Sequence, residues 1–173
     1  MKNTFFYVCP ILLENGSIIS PGNFGRVIQE YQEYRPSDLG HLAVRELTFE
    51  IVRSEHFSDK PSRLTSLFLF STKEAAFENI VNFSIGSVIY EVELIEEGSK
   101  IFKGDMDLIA ANSPNEKIPA IPFIMQAAAS YWNGQNLIPE KTEVLTDSPV
   151  RILRLIDPRV KVPKVSEPIG FPG

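Results

Sequence analysis

Two groupings of residues in this chain have types and spacing suited to chemistry. The first is a loop, Glu14-Asn15-Gly16-Ser17-Ile18-Ile19-Ser20-Pro21-Gly22-Asn23-Phe24-Gly25, in which three glycines and a proline punctuate a few apolar residues. Such a loop brings bare backbone close to a ligand. Arg26 closes it, and Arg63 and Ser66 stand just ahead of a later apolar run. A guanidinium matches phosphate oxygens two at a time, so both arginines are candidates for an anion. The structural alternatives are an ion pair of Arg63 with Glu46 or Glu50, and plain solvation of Arg26. The second grouping is Glu143, at the head of a late apolar run. A glutamate at the start of a strand can point into a cleft and polarise an incoming nucleophile as general base; the alternative is a solvated strand-end glutamate. Ahead of Glu143, Tyr131-Trp132-Asn133-Gly134-Gln135 combines rings with amides. Exposed, that pairing suits stacking on a base or ring; otherwise it is a helix end packed on the core.

Other chemistry is less well supported. Cys9 is the only cysteine, which excludes an intrachain disulfide and a thiolate-rich zinc site and fits a cytoplasmic home. It lies in an apolar run with no base nearby in sequence, the ordinary setting of a small buried hydrophobe. His41 and His56 are far from each other and from any ligand cluster, so no metal is expected. The net charge of −5 excludes a protein that coats duplex nucleic acid, though not one that engages a single nucleotide or a short single strand. The first apolar run stops at Pro10, too short for a signal peptide. No stretch approaches the roughly 18 apolar residues that cross a bilayer. A soluble, cytoplasmic protein without a membrane partner is expected.

The elements that must position these residues can be read from periodicity. Phe5-Phe6-Tyr7-Val8 is a first strand ending at Pro10. Asp38 to about Phe57 reads as a helix with Val44, Leu47 and Ile51 as its apolar stripe and Glu46, Glu50 and Arg53 on a second one. Ser66 to Phe70 is a buried strand, and Ser71-Thr72 caps a helix through Glu78. Val88, Tyr90, Val92 and Leu94 alternate with Ile89, Glu91, Glu93 and Ile95 as in a half-exposed strand. One or two helices lie between Asp105 and Trp132, broken by Ser113-Pro114-Asn115, Pro119 and Pro122, the second ending at Asn133-Gly134. Glu143-Val144-Leu145 and Val150 to Ile156 read as a hairpin across Thr146-Asp147-Ser148-Pro149. At 173 residues one domain is expected, spanning 1–157, with a proline-rich tail over 158–173. Strands with helices inserted, rather than a regular alternation, predict an α+β fold.

Phe6-Tyr7-Val8-Cys9, with Leu13 to Gly25 after it, resembles the opening of the rifampin ADP-ribosyltransferases, an aromatic-Tyr-His strand followed by a glycine- and proline-containing loop. Leu67-Phe68-Leu69-Phe70-Ser71-Thr72, Ile89-Tyr90-Glu91-Val92-Glu93 and Pro149-Val150-Arg151-Ile152 continue the similarity in order. Thr142-Glu143-Val144-Leu145 before Ser148-Pro149-Val150 also resembles the catalytic-glutamate strand of bacterial DNA ADP-ribosyltransferase toxins. The middle block, Arg45-Glu46 to Glu50, Arg53 and Pro61-Ser62-Arg63-Leu64, is similar to a poorly characterised bacterial family of the same superfamily.

That resemblance implies an ADP-ribosyltransferase-like split sheet, mixed or antiparallel, and an enzyme that uses NAD+ as substrate. Departure of nicotinamide leaves an oxocarbenium-like ribose, which calls for a carboxylate; Glu143 is the first candidate and Asp105 its rival. Tyr7 stands where the resembling enzymes carry histidine and, with the following loop, would lie on adenosine; Val8, Cys9 and Gly22 are further cofactor-binding candidates, and Arg26 a candidate for the phosphates. Phe68 stands where they carry a tyrosine that stacks on nicotinamide, with Arg63 and Ser66 on the pyrophosphate or ribose. Tyr131, Trp132 and Gln135 fall where acceptor recognition is placed. Lys141, two residues before Glu143, replaces the Gln or Glu of many protein-modifying relatives, which argues against arginine as acceptor. The acceptor is left open among nucleic acid, protein and small molecule. A toxin or antiphage role, with an antitoxin protein as partner, is a further implication; a non-catalytic interaction module and an NAD+ glycohydrolase are the alternatives.

Overall fold

A computed structural model of the chain describes residues 4–30, 36–83, 85–110, 120–135 and 137–156. Its strands are β1 (Thr4–Cys9), β2 (Ile18–Ile19), β3 (Leu67–Phe70), β4 (Val88–Leu94), β5 (Ile101–Asp105), β6 (Thr142–Thr146) and β7 (Val150–Leu155). They form one sheet in the order β2-β7-β4-β1-β3-β6-β5, with every neighbouring pair antiparallel. The helices are α1 (Asn23–Glu30), α2 (Pro36–His56), α3 (Lys73–Asn79), α4 (Asp107–Ala110) and α5 (Ala120–Asn133). The fold is α+β, as the order of elements predicts.

Successive side chains on a strand point to opposite faces, and the sheet buries both. On one face Phe5, Leu67, Leu69, Tyr90, Val92, Val144, Val150 and Ile152 make a single apolar cluster. On the other, Val8, Phe70 and Ile89 lie under Ala75 and Ala76 of α3. Beside them Phe102 and Leu145 pack against Phe49 and Val52 of α2 and Ala128, Tyr131 and Trp132 of α5. The central strand β4 is consequently buried on its second face too, through Ile89, rather than half-exposed as its alternation predicts.

The first of these faces is concave, for a reason of length. β6 and β7 follow each other in the chain but stand four places apart in the sheet. The connector 147–149 allows four Cα steps, at most about 14 Å, whereas four strand spacings in a flat sheet take about 19 Å. The sheet must therefore curl, and Val144 of β6 and Val150 and Ile152 of β7 meet in the same cluster. Ser148 secures the crossing: its Oγ accepts from the amides of Ile95 (3.2 Å) and Glu96 (3.1 Å). This corrects the expected hairpin, since β6 pairs with β3 and β5, and β7 with β2 and β4.

Three helices have informative ends or faces. Thr72 caps α3 as its type predicts, its Oγ1 accepting from the Ala75 amide at 3.1 Å. In α2 the expected apolar stripe faces outward: Val44, Leu47 and Ile51 are 43%, 59% and 44% exposed, while Glu46, Phe49 and Val52 are buried. The inward face is chosen by partners for Glu46 rather than by hydrophobicity alone. Pro122 does not break α5 but sits in its first turn, where a missing amide hydrogen leaves no bond unmade. α5 does end at Asn133. The breaks expected at 113–115 and 119, and the tail 158–173, lie outside the described residues. No described helix is long and apolar enough to cross a membrane.

Candidate functional site

The sheet is weakly joined at one place. β1 is registered on β4 from Thr4↔Glu93 to Cys9↔Val88, and β3 on β6 from Leu67↔Thr146 to Phe70↔Glu143, but β1 meets β3 only at Phe6↔Phe70. Beyond that pair the end of β1 and the start of β3 have no registered partners in each other. The glycine loop and α1 line this opening. The Gly22 amide donates to the Ser66 carbonyl at 3.3 Å, and the rings of Phe24 and Phe68 meet edge to face with centroids 5.1 Å apart. Gly25 passes so close to Leu64 that a Cβ there would sit 1.8 Å from the Leu64 carbonyl oxygen, so no larger residue fits. Ser66 is buried, and its hydroxyl has no hydrogen-bond partner among the described residues, which marks it for attention because buried polar groups are normally paired.

Beside the opening lies a buried polar cluster. Glu143 follows the turn Pro139–Lys141 as the second residue of β6, opposite both Phe70 and Gly104. Its Oε1 accepts from the Tyr131 hydroxyl at 2.7 Å and from Nη1 of Arg63. Both contacts converge on one oxygen and leave Oε2 outside the clamp. Arg63 also donates through Nη1 to the Tyr131 oxygen at 2.9 Å and through Nε to Oε2 of Glu46 at 2.8 Å. Its guanidinium lies over the Phe68 ring, 4.9 Å from the centroid. Arg45 closes the chain of charges, with Nη2 2.7 Å from Oε1 of Glu46. Two arginines thus face two glutamates, the condition under which charges survive burial.

Burial acts to lower the pKa of Arg63, but Glu143, Tyr131 and Glu46 together hold it well above the ordinary arginine value. Burial, and then Glu143, push the Tyr131 hydroxyl well above the ordinary tyrosine range. Tyr131 is therefore a fixed proton donor to Glu143. A close approach makes the contact possible. Gly104 lies under the Tyr131 ring, and a Cβ there would be 2.2 Å from Cε2.

Of the residues singled out in the sequence, Arg63, Phe68, Tyr131 and Glu143 are in one contact cluster, with Ser66, Gly22 and Phe24 at the adjoining opening. Of the two alternatives for Arg63, the ion pair with Glu46 is the one formed. Tyr7 lies on the concave face against the apolar cluster, with its hydroxyl pKa pushed up to about 12 by burial and then by Cys9. Val8 is on the opposite face under α3. Cys9 is buried and its thiol, raised in pKa by burial against a bond that lowers it, donates to the Ile11 carbonyl. Arg26 is exposed, with Nη2 3.2 Å from Oδ1 of Asn23. Asp105 is the neighbour of Gly104 and turns away from Glu143; its Oδ1 accepts from the Asp107 amide at 2.9 Å, ahead of α4. Gln135 is exposed. The expectation of exposed rings at Tyr131 and Trp132 is corrected: both are fully buried, and the indole Nε1 donates to the Phe49 carbonyl at 2.9 Å. Glu46 and Gly104 are site residues that sequence reasoning did not select. The signal for Gly104 was a lone glycine shortly after the apolar pair Ile101-Phe102; Glu46 gave none beyond its place as a possible ion-pair partner.

The protein is thus an α+β protein whose curled antiparallel sheet carries a buried Arg-Glu-Tyr cluster beside an opening between two strands. It belongs to the family described as protein of unknown function DUF2441, whose model matches residues 23–158. That span holds Glu46, Arg63, Tyr131 and Glu143 and leaves β1 and β2 outside. No curated protein matches the chain. Among the described residues no group of three His, Cys, Asp or Glu side chains could hold a metal ion.

Proposed function

We propose that this chain transfers ADP-ribose from NAD+ to an acceptor, with the dinucleotide along the opening between β1 and β3 and Glu143 at the anomeric carbon. The observation that carries the reading is the sheet order. β1, β3 and β6 are neighbours although far apart in the chain, and they bear three of the segments whose sequences resemble ADP-ribosyltransferases, those that carry Tyr7, Phe68 and Glu143. A molecule lying between two parting strands reaches side chains of both faces, so Tyr7 on one and Phe68 and Glu143 on the other are compatible with one extended ligand. The unpartnered Ser66 hydroxyl at the same opening suits a ribose or pyrophosphate oxygen, and the Phe24 and Phe68 rings offer a stacking surface.

In the reaction the bond between C1′ of the ribose and the nicotinamide nitrogen breaks, and nicotinamide leaves with the electron pair. The carboxylate of Glu143 stabilises the positive charge that develops on the ribose. An acceptor oxygen or nitrogen then forms the new bond to C1′, its proton passing to Glu143 as general base. Water in place of the acceptor would make the chain an NAD+ glycohydrolase. A toxin or antiphage effector restrained by an antitoxin protein is the biological setting in which we place this activity.

A second reading, a non-catalytic interaction module, is favoured by one feature: the Glu143 side chain is only 9% exposed and is already held by Arg63. Calorimetric titration with NAD+ and a nicotinamide-release assay separate the two. Binding with release is expected for the transferase; neither, at millimolar NAD+, leaves the interaction module.

A further inference from the structure

The polar cluster holds Glu143 by one oxygen only, and this asymmetry has a chemical use. An exposed carboxylate rotates freely and presents either oxygen. Here Oε1 is fixed by two donors, the Tyr131 hydroxyl and Arg63 Nη1, and neither reaches Oε2. We infer that Glu46, Arg63 and Tyr131 are positioning residues, which clamp Oε1 of Glu143 so that Oε2 alone is presented to the reacting ribose. The inference rests on the transferase reading given above and adds the residues that prepare its carboxylate.

Each member has a distinct task. Tyr131 reaches Glu143 because Gly104, directly opposite Glu143 on β5, has no side chain to hold the ring away. Arg63 is held on its other edge by Glu46, itself fully buried. This second carboxylate matters electrically. A lone guanidinium against Glu143 would cancel the negative charge that a cationic ribose requires, whereas one shared with Glu46 cancels it only in part. Glu46 in turn is balanced by Arg45, which is partly open to solvent. Charge therefore alternates from Arg45 through Glu46 and Arg63 to Glu143, ending on a negative group. Holding a reacting group within a fraction of an ångström of its working position is worth one to two orders of magnitude in rate.

The test compares wild type with Tyr131→Phe, Glu46→Gln and Arg63→Lys, measuring NAD+ dissociation constants by calorimetry and NAD+ turnover, with folding checked by circular dichroism. Tyr131→Phe removes one hydroxyl from a well-packed ring and is expected to lower kcat about 10- to 100-fold while the NAD+ dissociation constant changes less than about threefold. Glu46→Gln, which touches no substrate, is expected to act in the same direction. Arg63→Lys keeps the charge but cannot bridge two carboxylates, and is expected to fall between wild type and Tyr131→Phe. A folded Tyr131→Phe protein with wild-type kcat overturns the positioning role while leaving the transferase reading intact. A wild type that neither binds nor consumes NAD+ overturns that reading and this inference with it.

Discussion

The two faces of the sheet are built on different terms. On the concave face the cluster around Leu69, Val92, Val144 and Ile152 is apolar, and the Tyr90 hydroxyl at its margin takes the Leu13 amide at 2.7 Å and donates to the Ile11 carbonyl. On the face under α2 and α5 the same depth of burial holds Glu46, Arg63, Tyr131 and Glu143. Replacing a buried ion pair by hydrophobic residues of similar volume is often neutral or stabilising by about 1–4 kcal/mol. Packing alone therefore gives no reason for charges on one face when the other does without them. On the proposed transferase reading, one face is scaffold and the other gives up stability for chemistry.

That contrast can be broken most forcefully at Arg63. Arg63→Ala leaves Glu46 and Glu143 without their shared cation and is expected to lose about 3–5 kcal/mol, read from urea unfolding, together with any NAD+ turnover. Leu69→Ala, on the scaffold face, is expected to lose a comparable 2–5 kcal/mol or so with kcat unchanged in the protein that remains folded. Equal effects of the two variants on turnover would remove the distinction. Gly104→Ala comes next. Its Cβ must push the Tyr131 ring aside, and overpacking of this kind costs about 1–3 kcal/mol; the ring contact of Tyr131 with Phe102 gives an NMR shift that reports the displacement.

Titration sharpens the comparison from the concave face, where Tyr7 packs against the apolar cluster. The pKa of Tyr7 is near 10 when unfolded and about 12 when folded, so the folded state keeps the proton longer. Its contribution to stability is complete below pH 10 and is lost as pH rises towards 12. Tyr7→Phe is expected to move the midpoint of alkaline unfolding to higher pH. Smallest of all is Leu47→Glu on the outward stripe of α2, expected within about 0.5 kcal/mol of wild type. A loss of several kcal/mol there would mean that the stripe is covered after all.

The sequence made the existence of most elements legible, because strands such as Val88–Leu94 and the Thr72 cap declare themselves through local alternation and local hydrogen bonds. Three features were not legible, for related reasons. The orientation of α2 depends on Arg63, which pairs with Glu46, and on Phe102 and Tyr131, which pack with Phe49 and Val52; these partners lie beyond its own sequence, so hydrophobicity pointed its wrong face inward. The pairing of β6 and β7 depends on the curl of the whole sheet, which a turn-like Asp147-Ser148-Pro149 does not record. The strand β5 and the helix α1 are short, and glycines at 104 and 25 that look like loop residues are there to admit a close neighbour. In the site, Arg63 and Glu143 were each visible as residue types, but their direct contact was not, and it joins what had been assigned to a phosphate and to a ribose.

Transfer of labelled ADP-ribose measures the central claim most directly. Purified protein and its Glu143→Gln variant are incubated with NAD+ labelled in the adenosine moiety and a cell lysate, followed by separate digestion of protein and nucleic acid. Label is expected on a macromolecule or small molecule with the wild type, with nearly all of it lost in Glu143→Gln, and the digestions name the class of acceptor. Label unchanged in Glu143→Gln, or NAD+ left intact by the wild type, would contradict it.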